Sequence, residues 1–267
     1  MLYDINGNVV YNSVSSDFYD NMELDYEYDA TSNANYTVLR INKTKTDGTK
    51  QYPFVRSKSS SLSALELADV EDWCVIINAS LGPINSSQPY DGIVIENGIA
   101  INNSPASYSA HVGAMPLTID SNGDLSYATA DADAAELISN GVVSAICGFF
   151  PIIVDYDAVD SSVYSWCSHY NQNAQRQIIG QFGNGDYAIL TCEGRNYDHS
   201  DGWTIAEAIA ICQKIGLKFA YNLDGGGSTE TVIGKKQINT VYEGTSGRKR
   251  TGFIVFNGTA TYSIPTS

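Results

Sequence analysis

Asp186-Tyr187-Ala188-Ile189-Leu190-Thr191-Cys192 is a short apolar run that opens into a polar loop, Glu193-Gly194-Arg195-Asn196-Tyr197-Asp198-His199-Ser200-Asp201-Gly202. Its β-branched and aromatic residues predict a strand. Thr204-Ile205-Ala206-Glu207 then has the spacing of a capping box, in which the Thr hydroxyl and the Glu carboxylate satisfy each other's backbone N–H groups. Ile205, Ala208, Ile209, Cys212 and Ile215 fall on one helical face, and Gly216 supplies the stop. Leu217 to Leu223 predicts a second strand, ending in Asp224-Gly225-Gly226-Gly227-Ser228. The unit at about 186–223 therefore reads as β-α-β. If its two strands run parallel in one sheet, the crossover is right-handed. The loops after Cys192 and Leu223 then open on the same edge, where open sheets bind ligands. That geometry brings Glu193, Arg195, Asp198, Asp201, Asp224 and Ser228 near one another.

Three consecutive glycines lose much conformational entropy on folding, so the fold must need them. They permit positive φ and bring bare backbone N–H groups close to a ligand, where successive amides can cradle an anion. A tight, unoccupied turn is the competing explanation of the loop taken alone. The preceding Asp224 and the acidic loop of the neighbouring strand favour a site.

Arg195, Ser200-Asp201-Gly202, Thr204 and Asn222-Leu223-Asp224-Gly225-Gly226-Gly227-Ser228 together resemble the signature of the phosphodiester glycosidase family. Other pieces match in order: Ile77-Asn78-Ala79, the glycine hairpin Gly92 to Gly98, Arg176-Gln177-Ile178-Ile179-Gly180, and Gly247-Arg248 before Phe253-Ile254-Val255-Phe256. The resemblance covers about 33–267. Glu193 stands where the family more often has Asp, and Ala79-Ser80-Leu81 lacks the family's aromatic residue. The family includes a lysosomal domain that removes N-acetylglucosamine from a phosphodiester on mannose. The implied activity is hydrolysis of the glycosidic bond in a sugar–phosphate diester of the N-acetylglucosamine 1-phosphodiester kind.

Such a bond breaks through a cation-like sugar. The leaving group is a phosphate monoester with a second pKa of roughly 6, so it departs ionised and a strong general acid matters less. Guanidinium groups that clamp the phosphate matter more. Arg176, Arg195 and Arg248 are the candidates, each equally open to a structural ion pair. A carboxylate is also needed as base or nucleophile. Asp224 and Glu193 come first and Asp201 next, although Asp201 could instead cap the following helix. His199 could assist proton transfer. Asn78, Ser200, Gly225, Gly226, Gly227 and Ser228 complete the expected substrate contacts. No cofactor is expected. A divalent cation is compatible with the convergence of acids, but no spacing specifies one. The alternative function is a non-catalytic carbohydrate-binding or structural tail module with the same fold.

Outward from this unit, 267 residues suit one large domain with a small appendage, and 43% hydrophobic residues can bury a core. A net charge of −15 argues against a nucleic-acid partner, which needs clustered Lys and Arg. No apolar run reaches the roughly 18 residues of a membrane span. Met1 to Tyr11 lacks the basic-then-apolar pattern of a secretory signal. Cys74, Cys147, Cys167, Cys192 and Cys212 are odd in number and without C-x-x-C spacing, which predicts buried free thiols and a reducing cytoplasm.

Residues 1–32, acidic and Tyr-rich, read as a weakly structured leader or attachment segment, and 33–267 as the domain. Tyr36 to Ile41 predicts a strand, with Gln51 to Val55 as its hairpin partner across Asp47-Gly48. Ser63-Ala64-Leu65-Glu66 opens a helix, Cys74 to Ile77 is a buried strand, and Asn97-Gly98 turns a hairpin. Asp120 to Asp124 begins like a calcium loop but has no Glu at the twelfth position, so a hairpin turn is preferred. Ala134 to Asn140 is a short helix. The expected fold is α+β, a mixed β-sheet core with flanking helices. The acidic leader and an Asn/Ser/Tyr-rich surface resemble phage tail-associated versions of the domain. This implies a virion location, phage structural proteins as partners and a bacterial surface glycan as substrate. A cytoplasmic enzyme is the competing reading.

Overall fold

A computed structural model describes residues 20–85, 87–195, 200–242 and 246–256. Its strands are, in chain order, β1 (Met22–Asp29), β2 (Ala34–Ile41), β3 (Pro53–Leu62), β4 (Val75–Asn78), β5 (Val94–Glu96), β6 (Ile99–Asn102), β7 (Leu117–Asp120), β8 (Leu125–Tyr127), β9 (Val142–Ile146), β10 (Phe150–Val154), β11 (Asp157–Ala158), β12 (Arg176–Phe182), β13 (Tyr187–Cys192), β14 (Leu217–Asn222), β15 (Thr231–Ile233), β16 (Lys236–Gln237) and β17 (Arg250–Phe256). The α-helices are α1 (Ala64–Val70), α2 (Ala134–Ser139) and α3 (Ile205–Lys214). The strands form a seven-stranded sheet in the order β1-β2-β13-β12-β14-β10-β11, a five-stranded sheet β16-β15-β4-β17-β3 and a second five-stranded sheet β6-β5-β9-β7-β8. The architecture is α+β with sheet dominant.

Every pairing among these strands is antiparallel. The β-α-β unit survives in a split form. β13 and β14 run the same way, and β12 lies between them, antiparallel to both. Their ends still share one edge, and the start of β12 shares it too. The register sets Arg176 opposite Cys192 and Ile178 opposite Asn222.

Alternation explains the packing. Ile179, Tyr187, Ile189 and Tyr221 point into a core shared by all three sheets, with Leu39, Val55, Ile77, Ile119, Ile146, Ile254 and Phe256. That core joins residues from both halves of the chain. Ile178, Ala188, Leu190 and Ala220 point the other way, onto α3 through Ile205, Ala208, Ile209 and Cys212. With both faces covered, β13 and β14 read as nearly continuous apolar runs. Thr204 and Glu207 form the capping box of α3, and Ser63 and Glu66 that of α1. All five cysteines are buried free thiols. No helix among the described residues is long and apolar enough to cross a membrane.

Two local expectations are corrected. The stretch Met22–Asp29 is not a weakly structured leader but the edge strand β1, paired along its whole length with β2. Met22 and Leu24 pack on the core. The period-two alternation of Met22, Leu24 and Tyr26 with acids is that of a half-buried edge strand, whose charges face water. Residues 1–19 lie outside the described residues. The second correction concerns the hairpin across Asp47-Gly48. Its turn closes, with Thr44 bridging Lys50, but the arms diverge: β2 joins the first sheet and β3 pairs with β17 in the second. The Asn97-Gly98 hairpin forms as β5–β6, with positive φ at both turn residues. Asp120 closes the β7–β8 turn by accepting from the N–H groups of Asn122 and Asp124.

Candidate active site

The shared edge of β13, β12 and β14 holds a cleft of about 190 Å³. It is lined by Arg176, Arg195, Arg248, Arg250, Asp224, Asn222, Gly225, Gly226, Gly227, His169, Phe149, Ala174 and Cys167. Among the described residues, four guanidinium groups thus line the cleft with a single carboxylate, in a chain of net charge −15.

The glycine loop makes this crowding possible. Asp224 leaves β14 with its N–H on Ala79 O, which ties the first sheet to the end of β4. Gly226 has φ +58, and a Cβ there would stand 3.2 Å from Arg195 Nη1. A Cβ on Gly227 would stand 2.8 Å from Arg248 Nε. Two guanidinium groups therefore lie directly against bare backbone. The cradle expected from the loop amides is partly spent inside the protein. Gly226 N–H donates to Gln175 O, Ser228 N–H to Gly225 O and Thr229 N–H to Gly226 O. The side chains, more than the amides, supply the positive charge.

Each arginine is held differently. Arg176, at the start of β12, is buried and donates to three backbone carbonyls: Nε to Trp203 O at 2.8 Å, Nη2 to His169 O at 2.9 Å and to Gln172 O at 2.8 Å. Burial pulls its pKa down to about 10. No carboxylate pairs with it among the described residues. Arg195 adopts φ +60, a left-handed conformation costly for a residue with a Cβ. Its guanidinium carbon lies 5.9 Å from the centre of the Tyr242 ring. Arg248 N–H donates to Gly227 O, which fixes the two loops together. Arg250 Nε bonds Asp224 Oδ2 in a short ion pair.

Arg176, Arg195, Asp224, Gly225, Gly226, Gly227 and Arg248 thus meet as the sequence led us to expect, and the others do not. Glu193 turns its carboxylate to the Thr240 N–H at 2.7 Å and lines a separate hollow with Tyr26, Asn35 and Lys236. Asp201 is exposed, accepts from Asn33 Nδ2 at 3.1 Å and does not cap α3, whose cap is Thr204. Ser200 is buried and ties the loop down, its Oγ donating to Glu193 O at 2.7 Å and accepting from Asn35 N–H at 3.1 Å. Asn78 is a buried clamp: Nδ2 donates to Asp224 O at 2.6 Å and Oδ1 accepts from Glu230 N–H at 2.9 Å. Ser228 is buried beneath the loop, its Oγ without a partner among the described residues. Asp198 and His199 lie outside the described residues.

Sequence reading missed Arg250 and His169, and named Asn222 in the motif without giving it a role. Asn222 and Asp224 are two apart at a strand end and so share a face, a signal that was available. Arg250 sits in Arg248-Lys249-Arg250 by the same two-residue spacing. His169 belongs to an irregular stretch between β11 and β12 with no period to follow. Among the described residues, no group of three or more His, Cys, Asp or Glu is arranged to hold a metal ion.

Known proteins resemble this chain in sequence or in fold. The SPbeta prophage-derived uncharacterized protein YomE of Bacillus subtilis (strain 168) is 26% identical over 248 residues, 86% of this chain and 38% of that protein. The chain thus spans well under half the length of this relative. The catalytic domain of zebrafish N-acetylglucosamine-1-phosphodiester alpha-N-acetylglucosaminidase, auto-inhibited by its pro-peptide, superposes with a TM-score of 0.67 at 13% identity, over 88% of this chain and 81% of that one. A hypothetical protein from Synechocystis gives 0.68, also at 13% identity, over 89% and 62%. At those identities the likeness is one of fold. The family model for phosphodiester glycosidases matches residues 74–256, a span that runs from the start of β4 to the end of β17 and contains every residue lining the arginine cleft, so this chain belongs to the phosphodiester glycosidase family.

Proposed function

We propose that this protein hydrolyses the glycosidic bond of a sugar–phosphate diester, of the N-acetylglucosamine 1-phosphodiester kind, and that the arginine cleft is its active site. The observation that carries the reading is the imbalance of charge. Arg176 and Arg195 have no carboxylate partner among the described residues, yet they line a cleft with two further arginines. A phosphate is the anion such a forked cluster suits, because guanidinium groups bind its oxygens two at a time. As the glycosidic bond breaks, charge grows on the leaving phosphate. Donors already fixed in place stabilise that charge without reorganising.

Asp224 is the catalytic carboxylate in this proposal. It is the one carboxylate in the lining, and its negative charge suits a sugar carbon that becomes cationic. Glu193, Asp201, Ser200 and Asn78 act by shaping the loops. No step requires a cofactor or divalent cation. The prophage-derived relative supports a phage setting, in which the substrate is a bacterial surface glycan with sugar–phosphate links and the neighbours are tail structural proteins. A second reading, a glycan-binding tail module without turnover, draws on the Asp224–Arg250 ion pair, which occupies the one carboxylate lining the cleft among the described residues. Incubation with a sugar α-phosphodiester, followed by release of the phosphomonoester, decides between them. Turnover supports hydrolysis. Tight binding of the same compound without turnover selects the binding module.

A further inference from the structure

The proposed hydrolysis needs a group to take a proton from the attacking water. Asp224 is tied to Arg250, and the carboxylates of Glu193 and Asp201 point elsewhere. Cys167, also in the lining, is a buried thiol whose pKa is pushed up by burial, so it stays protonated. We propose that His169 is the general base that accepts this proton, an assignment that rests on the glycosidase reading.

Three observations carry it. His169 lines the arginine cleft and is exposed, whereas Arg176 and Asp224 are buried, so the imidazole sits at the mouth where water enters. Its Nδ1 lies 3.0 Å from Gln172 Oε1, an oxygen that can only accept. Nδ1 therefore carries the hydrogen, and Nε2 of the neutral ring presents a lone pair. The backbone that carries the ring is fixed by the phosphate clamp itself. Residues 169–172 close a turn through Gln172 N–H to His169 O, and both His169 O and Gln172 O accept from Arg176 Nη2.

In the step, the water oxygen forms a bond to the anomeric carbon and its proton passes to His169 Nε2. The bond from that carbon to the phosphate oxygen breaks, and its electron pair leaves with the phosphate, held by the arginines. The imidazolium then returns its proton to solvent, and the products are the free sugar and a phosphomonoester.

The test uses the full chain with His169→Gln and His169→Ala, assayed on a sugar α-phosphodiester beside Asp224→Asn. Affinity for inorganic phosphate is measured in each to confirm an intact cleft. Loss of the base is expected to lower kcat by about 10²-fold with little change in KM. Added imidazole should restore part of the His169→Ala rate. Wild-type kcat in His169→Ala while Asp224→Asn is impaired overturns the role of His169 and leaves the glycosidase reading standing. A rate loss with unchanged phosphate affinity but no imidazole rescue likewise overturns the base role in favour of a structural one. Absence of turnover by the wild-type protein overturns the glycosidase reading, and this assignment with it.

Discussion

Arginine is used in two opposite ways in this molecule. On β3, Arg56 makes a bidentate contact with Glu71, its Nε and Nη2 each 2.7 Å from a carboxylate oxygen, and its Nη1 lies 2.6 Å from Glu96 Oε1. Lys58 joins Glu71 at 2.9 Å. Two cations meet two carboxylates, and Trp73 Nε1 and Ser57 Oγ complete the donor set by donating to Glu71 and Glu96. At the edge of the seven-stranded sheet, four arginines meet one aspartate. The first cluster is electrically complete and holds α1 and β5 to the sheet. In the second, Arg176 and Arg195 have no carboxylate bonded to them among the described residues, and Arg176 is desolvated. Partial burial alone does not separate a structural arginine from one available to an anion, and the proposed function assigns the unmatched pair to the phosphate.

Removal of one unmatched arginine is the strongest way to break this comparison. Arg195→Ala should lower kcat/KM for a sugar phosphodiester by roughly 10²–10³, by analogy with loss of a preorganised oxyanion donor. Thermal stability should be nearly unchanged, because Arg195 makes no ion pair among the described residues and alanine meets the same left-handed backbone. The loss should be smaller on an aryl glycoside of the same sugar, whose leaving group carries no phosphate. Equal damage to both substrates would show that Arg195 is structural after all, like Arg56.

Asp224→Asn sharpens the other side. The amide keeps the shape and still offers Arg250 an acceptor, so the melting temperature should stay near that of the wild type. Loss of the negative charge that faces the cationic sugar should cut kcat by about 10². Undiminished turnover would remove Asp224 from the chemistry and leave only its role in anchoring Arg250.

The balanced cluster should answer in stability rather than activity. Its hydrogen bonds to Arg56, opposed by partial burial, hold the Glu71 carboxyl down at about 2, against an ordinary value of 4.5. A depressed carboxyl contributes stability in full above its unfolded pKa and loses it as pH falls through the folded one. Denaturant titrations should therefore show wild type exceeding Glu71→Gln by about 1–3 kcal/mol at neutral pH. That gap should close as pH falls from about 4.5 toward 2, while activity of the variant at neutral pH stays within a few-fold of wild type. A gap independent of pH would mean that packing, not charge, holds Glu71 in place.

Local elements were legible wherever a short-range rule governs them. The capping boxes at Ser63 and Thr204, the Asn97-Gly98 turn and the glycine loop were all readable because the groups involved lie within a few residues of one another. Met22–Asp29 was misread because its acids outweigh its alternation, and only β2 supplies the partner that makes the pattern a strand. The arms around Asp47-Gly48 were paired as neighbours because nothing local says that Pro53–Leu62 prefers β17, nearly two hundred residues away. Within the site, the motif residues Arg195, Asp224 and Arg248 were found, and the direction of Glu193 and Asp201 was not. Which way a loop carboxylate points depends on distant backbone at Thr240 and Asn33.

By itself the sequence determined that a strand, a capped helix and a second strand end in Asp-Gly-Gly-Gly-Ser, because periodicity, capping and glycine conformation are properties of contiguous chain. Only the tertiary structure decided that β12 would run between β13 and β14. That insertion places Arg176 at the edge where both neighbours end. It also took the packing of the second sheet against the first to bring Arg248 and Arg250 onto the glycine loop. Long-range antiparallel pairing and the shared core fix those approaches, and neither has a signature in any short stretch of residues.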